Sequence, residues 1–129
     1  YMYFYQKFLG DRFINSTVSG SSSVNSYAST YSSGEINVTL VNTCASAQNI
    51  KLAFKNFNAG KRFYWYTLIG GNDNNGFSRK VFVNGQGPSG IAGGPDNYTA
   101  LKAYSAETAN GIQITLPAMS VICVAVDKK

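Results

Sequence analysis

An all-β fold, an antiparallel β-sandwich of about eight or nine strands of the immunoglobulin-like or jelly-roll-like kind, is what this sequence predicts. Three observations carry that prediction. Short runs alternate apolar and polar residues, most clearly Glu35 to Asn42, where Ile36, Val38 and Leu40 face one way and Glu35, Asn37 and Thr39 the other. Turn signals rich in Gly, Ser, Asn and Pro separate these runs at regular intervals. No amphipathic helical pattern of real length interrupts them, and 129 residues suit one domain able to bury a core without metals or staples.

Taken in order, residues 1–10, YMYFYQKFLG, form an aromatic block that reads as a short helix or an edge strand, with Tyr1, Tyr5 and Phe8 near helical spacing and Gly10 as a C-cap. A block this aromatic is built to dock, either on its own sandwich or on a preceding domain. The first 11 residues are therefore read as a junction from a preceding domain, and 12–129 as the sandwich. Strands are expected at 12–18, 24–31 and 35–42, then at 49–57 with Ile50, Leu52 and Phe54 inward. The run from Arg62 to Ile69 holds Phe63, Tyr64, Trp65 and Tyr66 before Leu68 and Ile69, the mark of a strand with at least one buried face. Gly70 to Gly76 is a loop. Phe77 to Asn84 is a short strand with Val81 and Val83 inward, and Gly85 to Asn97 is a long loop with five Gly and two Pro. A strand over Tyr98 to Tyr104, a turn at Thr108 to Gly111, and strands at 111–116 and 119–126 complete the series.

Composition narrows the chemistry. Charged residues make up 13% of the chain and aromatics 14%, and this Ser-, Asn- and Tyr-rich balance is that of a secreted, extracellular β protein. The formal charge of +5 is scattered rather than gathered into a stripe, which argues against a nucleic-acid partner. The chain has no His, so imidazole catalysis and imidazole metal sites are excluded. No apolar run approaches the roughly 20 residues of a membrane span. Neither a signal peptide nor an initiator Met is visible, so the chain reads as part of a larger protein. Cys44 and Cys123 flank predicted strands, and two readings stay open, one disulfide or two buried thiols.

The pattern VNSYAS, then EINVTLVN, then an apolar strand ending in NF, then YWYTL and a closing LPAMSVICVAV, resembles the C-terminal β-sandwich that accompanies the (β/α)8 catalytic barrel of many bacterial glycoside hydrolases. The opening YMYFYQKFLGD resembles the junction between barrel and sandwich, and Leu116, Pro117, Ala118 and Ser120 resemble the closing strand. The resemblance covers most of the chain and rests on structural motifs. It implies an accessory domain beside a catalytic one, with the catalytic carboxylates on the absent barrel. The insert from Gly70 to Asn97 and the two cysteines depart from the common pattern. Long Gly/Pro loops in compact domains are often functional.

The residues themselves point the same way. Glycoside hydrolysis needs two carboxylates about 5–9.5 Å apart across a cleft. Of Asp11, Glu35, Asp73, Asp96, Glu107 and Asp127, only Asp73 and Asp96 sit in long loops, so no catalytic residue is assigned. Sugar binding fits better: pyranose C–H faces stack on aromatic rings, and their hydroxyls pair with amides, carboxylates and guanidinium groups. The candidate carbohydrate-binding residues are Trp65, Tyr64, Asn72, Asp73, Asn75, Arg79, Phe82 and Tyr98. Alternation places Trp65 with Phe63 and Thr67 on one face and Tyr64 with Tyr66 and Leu68 on the other, without fixing which face is the core. Phe82 is the better exposed candidate, because Val81 and Val83 are expected to point inward. No cofactor or resident metal is implied, apart from a structural calcium on NDNN (72–75) or PDN (95–97), which read equally as Asx turns. Three Asn-X-Ser/Thr triplets, at Asn15, Asn37 and Asn97, are what chance gives in such a composition. The expectation is a non-catalytic carbohydrate-binding domain of a secreted polysaccharide-degrading enzyme, with a plant or algal polysaccharide and the attached catalytic domain as partners. The alternative is a purely structural sandwich that stabilises the barrel.

Overall fold

The structure, a computed structural model, describes residues 1–73 and 77–129. It is a sandwich of two antiparallel sheets. The strands are β1 (Arg12–Ile14), β2 (Val24–Thr30), β3 (Ile36–Asn42), β4 (Gln48–Leu52), β5 (Ala59–Gly70), β6 (Val81–Val83), β7 (Tyr104–Glu107), β8 (Ile112–Leu116) and β9 (Ser120–Lys128), preceded by a helix, α1 (Met2–Phe8). The large sheet runs β1-β2-β3-β9-β5-β6, with β7 also on β5, and the small sheet is the pair β4-β8.

Between the sheets lies the main core. Alternation in β3 turns Ile36, Val38 and Leu40 inward, β9 adds Ile122, Val124 and Val126, and the small sheet answers with Ile112, Ile114 and Leu116. Phe54 and Phe57 follow the end of β4 and close this core as a T-shaped pair.

A second core covers the outer face of the large sheet. Phe4 and Phe8, one turn apart on α1, pack on Tyr66, Leu68, Val83, Leu101 and Cys123. Polar bonds fix the helix in place. The Gly10 N–H donates to Ser29 Oγ at 2.9 Å, and the Tyr31 hydroxyl donates to the Lys7 carbonyl. Gly10 does not end the helix in a left-handed turn as expected; Leu9 is the C-cap, in extended geometry. Gly10 instead lies against Thr30, whose carbonyl a Cβ would overlap.

This second layer corrects several expectations. Val81 and Val83 face the helix layer rather than the sandwich interior. Asn37, expected outward, is on the outer face but only 1% exposed, and neither atom of its amide has a partner among the described residues. A buried amide without hydrogen bonds costs about 1–3 kcal/mol, and replacing it by an apolar group of the same shape is neutral to stabilising. Asn37→Leu is therefore expected to raise stability by about 1 kcal/mol in urea unfolding. A fall instead would mean that a buried water satisfies the amide.

The expected strand over Tyr98 to Tyr104 is a 3₁₀ turn at Tyr98–Ala100 followed by β7. Tyr66 draws this segment in, its hydroxyl donating to the Leu101 carbonyl at 2.8 Å. The strand expected at 12–18 is only β1, and that at 77–84 only β6. The long loop after β6 wraps that strand's free edge: Val81 N–H donates to the Gly93 carbonyl at 2.8 Å, and Gly93 N–H to the Arg79 carbonyl at 2.9 Å. An edge capped by a loop is closed to strand addition.

Both cysteines are free thiols. The Cys44 carbonyl accepts from Met119 N–H, and Cys123 lies four residues further along β9, about 13 Å at strand rise, beyond the reach of a disulfide. Only Cys123 is buried, which corrects the reading of two buried thiols.

Candidate functional site

Strand β5 positions most of the aromatic candidates and separates them. Phe63 and Trp65 point into the sandwich, ring centroids 5.2 Å apart and 22° from parallel, and Trp65 lies 5.6 Å from Tyr104. Trp65 is half-buried at the margin of the main core. Tyr64, one residue away, projects from the opposite face of the sheet opposite Ser105. A strand's period of two puts these neighbours on different surfaces.

The loop candidates disperse as well. Asn72 and Asp73 are exposed between β5 and β6, and the Asp73 carboxylate accepts the Ser78 hydroxyl proton. That bond, with lesser help from Lys80 and Arg79, lowers the Asp73 pKa. Arg79 is exposed, and Asn75 lies outside the described residues. Phe82, expected to be exposed, is half-buried; its ring lies against Gly71 and Gly87, and an added Cβ at Gly87 would collide with it. Tyr98 is exposed on the helix side, its ring edge-on to Tyr3 at 4.9 Å. The fold thus places Trp65 in the sandwich and Tyr64 and Tyr98 on the helix-bearing side. The predicted residues do not form one constellation.

Five of the six carboxylates have a local partner. Asp96 Oδ2 accepts from Ser89 N–H at 3.3 Å, Glu107 is 4.0 Å from Arg62, and Asp11 Oδ2 accepts from Ser32 N–H at 2.7 Å and from its hydroxyl at 2.6 Å. The two loops proposed for calcium each contribute one carboxylate. No group of three or more Asp, Glu, Cys or His gathers among the described residues.

Sequence reasoning missed three features. The first is Asn84, in left-handed geometry at φ 48°. Its backbone N–H donates to the Thr67 carbonyl, while its Oδ1 accepts from Thr67 N–H, both at 2.9 Å. Its Nδ2 donates to the Lys102 carbonyl at 3.0 Å, and its own carbonyl accepts the Tyr104 hydroxyl at 3.2 Å. Asn84 therefore fills the gap on β5 between its pairing with β7 and its pairing with β6. An Asn-Gly turn signal stands in the sequence, but not its partner.

The second feature is the surface of α1. Met2, Tyr5 and Leu9 recur at three- and four-residue spacing on a face turned away from the sheet, and all are exposed, Met2 at 73%. Phe13 of β1, 69% exposed, belongs to the same outer side as Ser29 in the sheet register. A groove of about 620 Å³ runs beside the helix, lined by Tyr1, Met2, Tyr3, Val81, Pro95 and Tyr98 among others. The third feature is a polar pocket of about 360 Å³ at the far edge of the large sheet, beside β2.

No protein-family model matches the chain, and no curated protein matches it by sequence. Solved structures do match. The fold superposes on an arabinose-bound α-L-arabinofuranosidase, MgGH51, with TM-score 0.66 and 16% identity, over 98% of this chain and 18% of that one. It superposes on a GH30 endoxylanase from Clostridium papyrosolvens C71 with TM-score 0.60 and 16% identity, over 96% of this chain and 26% of that one. For the GH30 subfamily 8 xylanase Xyn30A from Clostridium acetobutylicum the values are 0.58 and 19%, over 98% and 26%. At these identities the likeness is one of fold. The chain spans about a quarter or less of the length of these glycoside hydrolases.

Proposed function

We propose that the chain is a non-catalytic β-sandwich accessory domain of a secreted glycoside hydrolase, and that it packs against the catalytic domain through the outward face of α1. One observation carries this reading: α1 is apolar nearly all round. Its only polar side chains are Gln6 and Lys7, and the Lys7 ammonium lies over Tyr3 and Tyr66 at 5.8 and 5.7 Å from the ring centroids. Phe4 and Phe8 account for one apolar face; Met2, Tyr5 and Leu9 form another that nothing among the described residues covers. A helix that is apolar all round belongs between two layers of protein. The fold's likeness to part of several glycoside hydrolases supports a catalytic domain as the second layer, and the groove beside α1 offers it a recess. The scattered carboxylates, five of the six engaged locally by a hydroxyl, a backbone amide or Arg62, support a non-catalytic role.

The test is the surface chemistry of this chain in isolation. It is expected to bind a hydrophobic dye and to self-associate. A variant with Met2→Ser, Tyr5→Ser, Leu9→Ser and Phe13→Ser is expected to lose both properties with little change in unfolding midpoint, since exposed positions carry little of the fold's stability. A monomeric chain that binds no dye before substitution would refute the docking face.

A further inference from the structure

The sandwich is lopsided. Seven strands make the large sheet and two the small one, so β4 and β8 each have a partner on one side only. Among the described residues, no backbone group from Gln48 to Leu52 bonds to backbone outside β8. The far side of β4 is therefore a row of vacant amide and carbonyl groups. The edges of the large sheet offer less. The loop after β6 wraps that strand, and β1 and β7 hold only three and four residues.

An apolar flank separates β4 from β8. The inward side chains of β8, Ile112, Ile114 and Leu116, are 4, 5 and 0% exposed, so a further strand beside them would gain little burial. Ile50 and Leu52 belong to the same core yet stay half-buried, as do Phe54 and Phe57 just beyond β4. A strand laid beside β4 would gain hydrogen bonds and apolar burial together. Lysine on an edge strand commonly blocks such pairing. Lys51 leans the other way, over β8, its Cε 3.8 Å from where a Cβ on Gly111 would stand. Lys51 and Lys55 are both exposed, and their charge favours acidic residues on the solvent side of an incoming strand.

We infer that the free edge of β4 pairs with an extended segment of the parent polypeptide outside these 129 residues, its apolar residues turned toward Ile50 and Leu52 and its polar or acidic ones toward solvent. The parent enzyme as the source of that strand rests on the accessory-domain reading above. It is supported by the length of the glycoside hydrolases on which the fold superposes, of which this chain spans about a quarter or less. The edge itself does not depend on α1.

The experiment is a ¹⁵N–¹H NMR titration of this chain with a capped hexapeptide in which Val alternates with Thr and Glu. The peptide is expected to shift the amide signals of Gln48 to Leu52 with millimolar affinity and to slow their hydrogen exchange. The same peptide N-methylated at alternate residues, which removes the donors of one edge, is expected not to bind. Exchanging its Glu for Lys is expected to weaken binding about fivefold, and Lys51→Glu to reverse that preference. The variant with Ser at positions 2, 5, 9 and 13 is expected to bind the peptide like the parent, so a failure of the docking face on α1 leaves this result standing. The inference is overturned if residues 48–52 do not respond, if the shifts fall on β8 or α1 instead, or if N-methylation makes no difference. Shifts in β4 that follow the concentration of the chain alone would overturn it too, in favour of a second copy on this edge.

Discussion

Phe4→Ala is expected to detach α1 and to turn Cys123 from an inert thiol into a reactive one. Phe4 is 3% exposed and its ring centre lies 4.9 Å from that of Tyr66. Truncating a buried Phe to Ala costs about 3–5 kcal/mol. A seven-residue helix has almost no stability of its own, so α1 responds by opening locally rather than by strained repacking. Beneath it lie Tyr66, Leu68 and Cys123. In the parent protein, burial pushes the Cys123 thiol up to about 11, while the Ser46 hydroxyl 3.2 Å from Cys44 Sγ lowers the pKa of that thiol. At pH 8 a thiol reagent is expected to modify one cysteine in the parent, Cys44, and two in the Phe4→Ala variant. The folded Cys123 pKa is raised, so burial keeps this thiol protonated until the pH climbs toward that value. Opening α1 returns it toward the ordinary thiol range of about 8.5, and its reaction at pH 8 rises accordingly. Unchanged labelling stoichiometry in a variant with lowered stability would mean that α1 does not protect Cys123.

Asn84→Ala is expected to lower stability by about 3 kcal/mol, from two sources of similar size. Removing the amide strands the Thr67 N–H, a part-buried strand donor, at about 1–3 kcal/mol. Placing Ala at φ 48° adds about 1–2 kcal/mol of left-handed strain. In a domain of this size that corresponds to a fall in Tm of roughly 10 °C. Asn84→Gly separates the contributions: it relieves the backbone and still loses the side-chain bonds, so it is expected to fall between the parent and Ala. If Gly and Ala were equal to the parent in thermal unfolding, the bridging role of Asn84 between β6 and β7 would be wrong.

Both predictions concern features that a one-dimensional reading handles poorly. The strand alternation of β3 and β9 was legible because the buried core is repeated every second residue, and Ile36, Val38 and Leu40 could have faced no other way. Trp65 was less legible. Both faces of β5 are apolar because both are covered, one by the small sheet and one by α1, so alternation alone could not rank them. The same double covering reversed the reading of Val81 and Val83 and buried Asn37 on the outer face where it was expected. The candidate site was less legible than the fold, since Trp65 lies in the sandwich while Tyr64 and Tyr98, from the same strand and from a distant loop, lie on the helix-bearing side. The pocket beside β2 left only a faint trace, the run SGSSS, which as a string is indistinguishable from an ordinary turn.

The sequence by itself determined an antiparallel sandwich, the positions of its main strands and the absence of imidazole chemistry, because these follow from local periodicity and residue inventory. Tertiary structure alone decided that α1 folds back as a second layer, that Asn84 completes the edge of β5, that Cys44 and Cys123 stay apart, and where the open pocket lies. Those outcomes depend on contacts between residues from about 20 to more than 100 positions apart, and the free energy that selects them comes from burial and hydrogen bonds made only when distant segments meet.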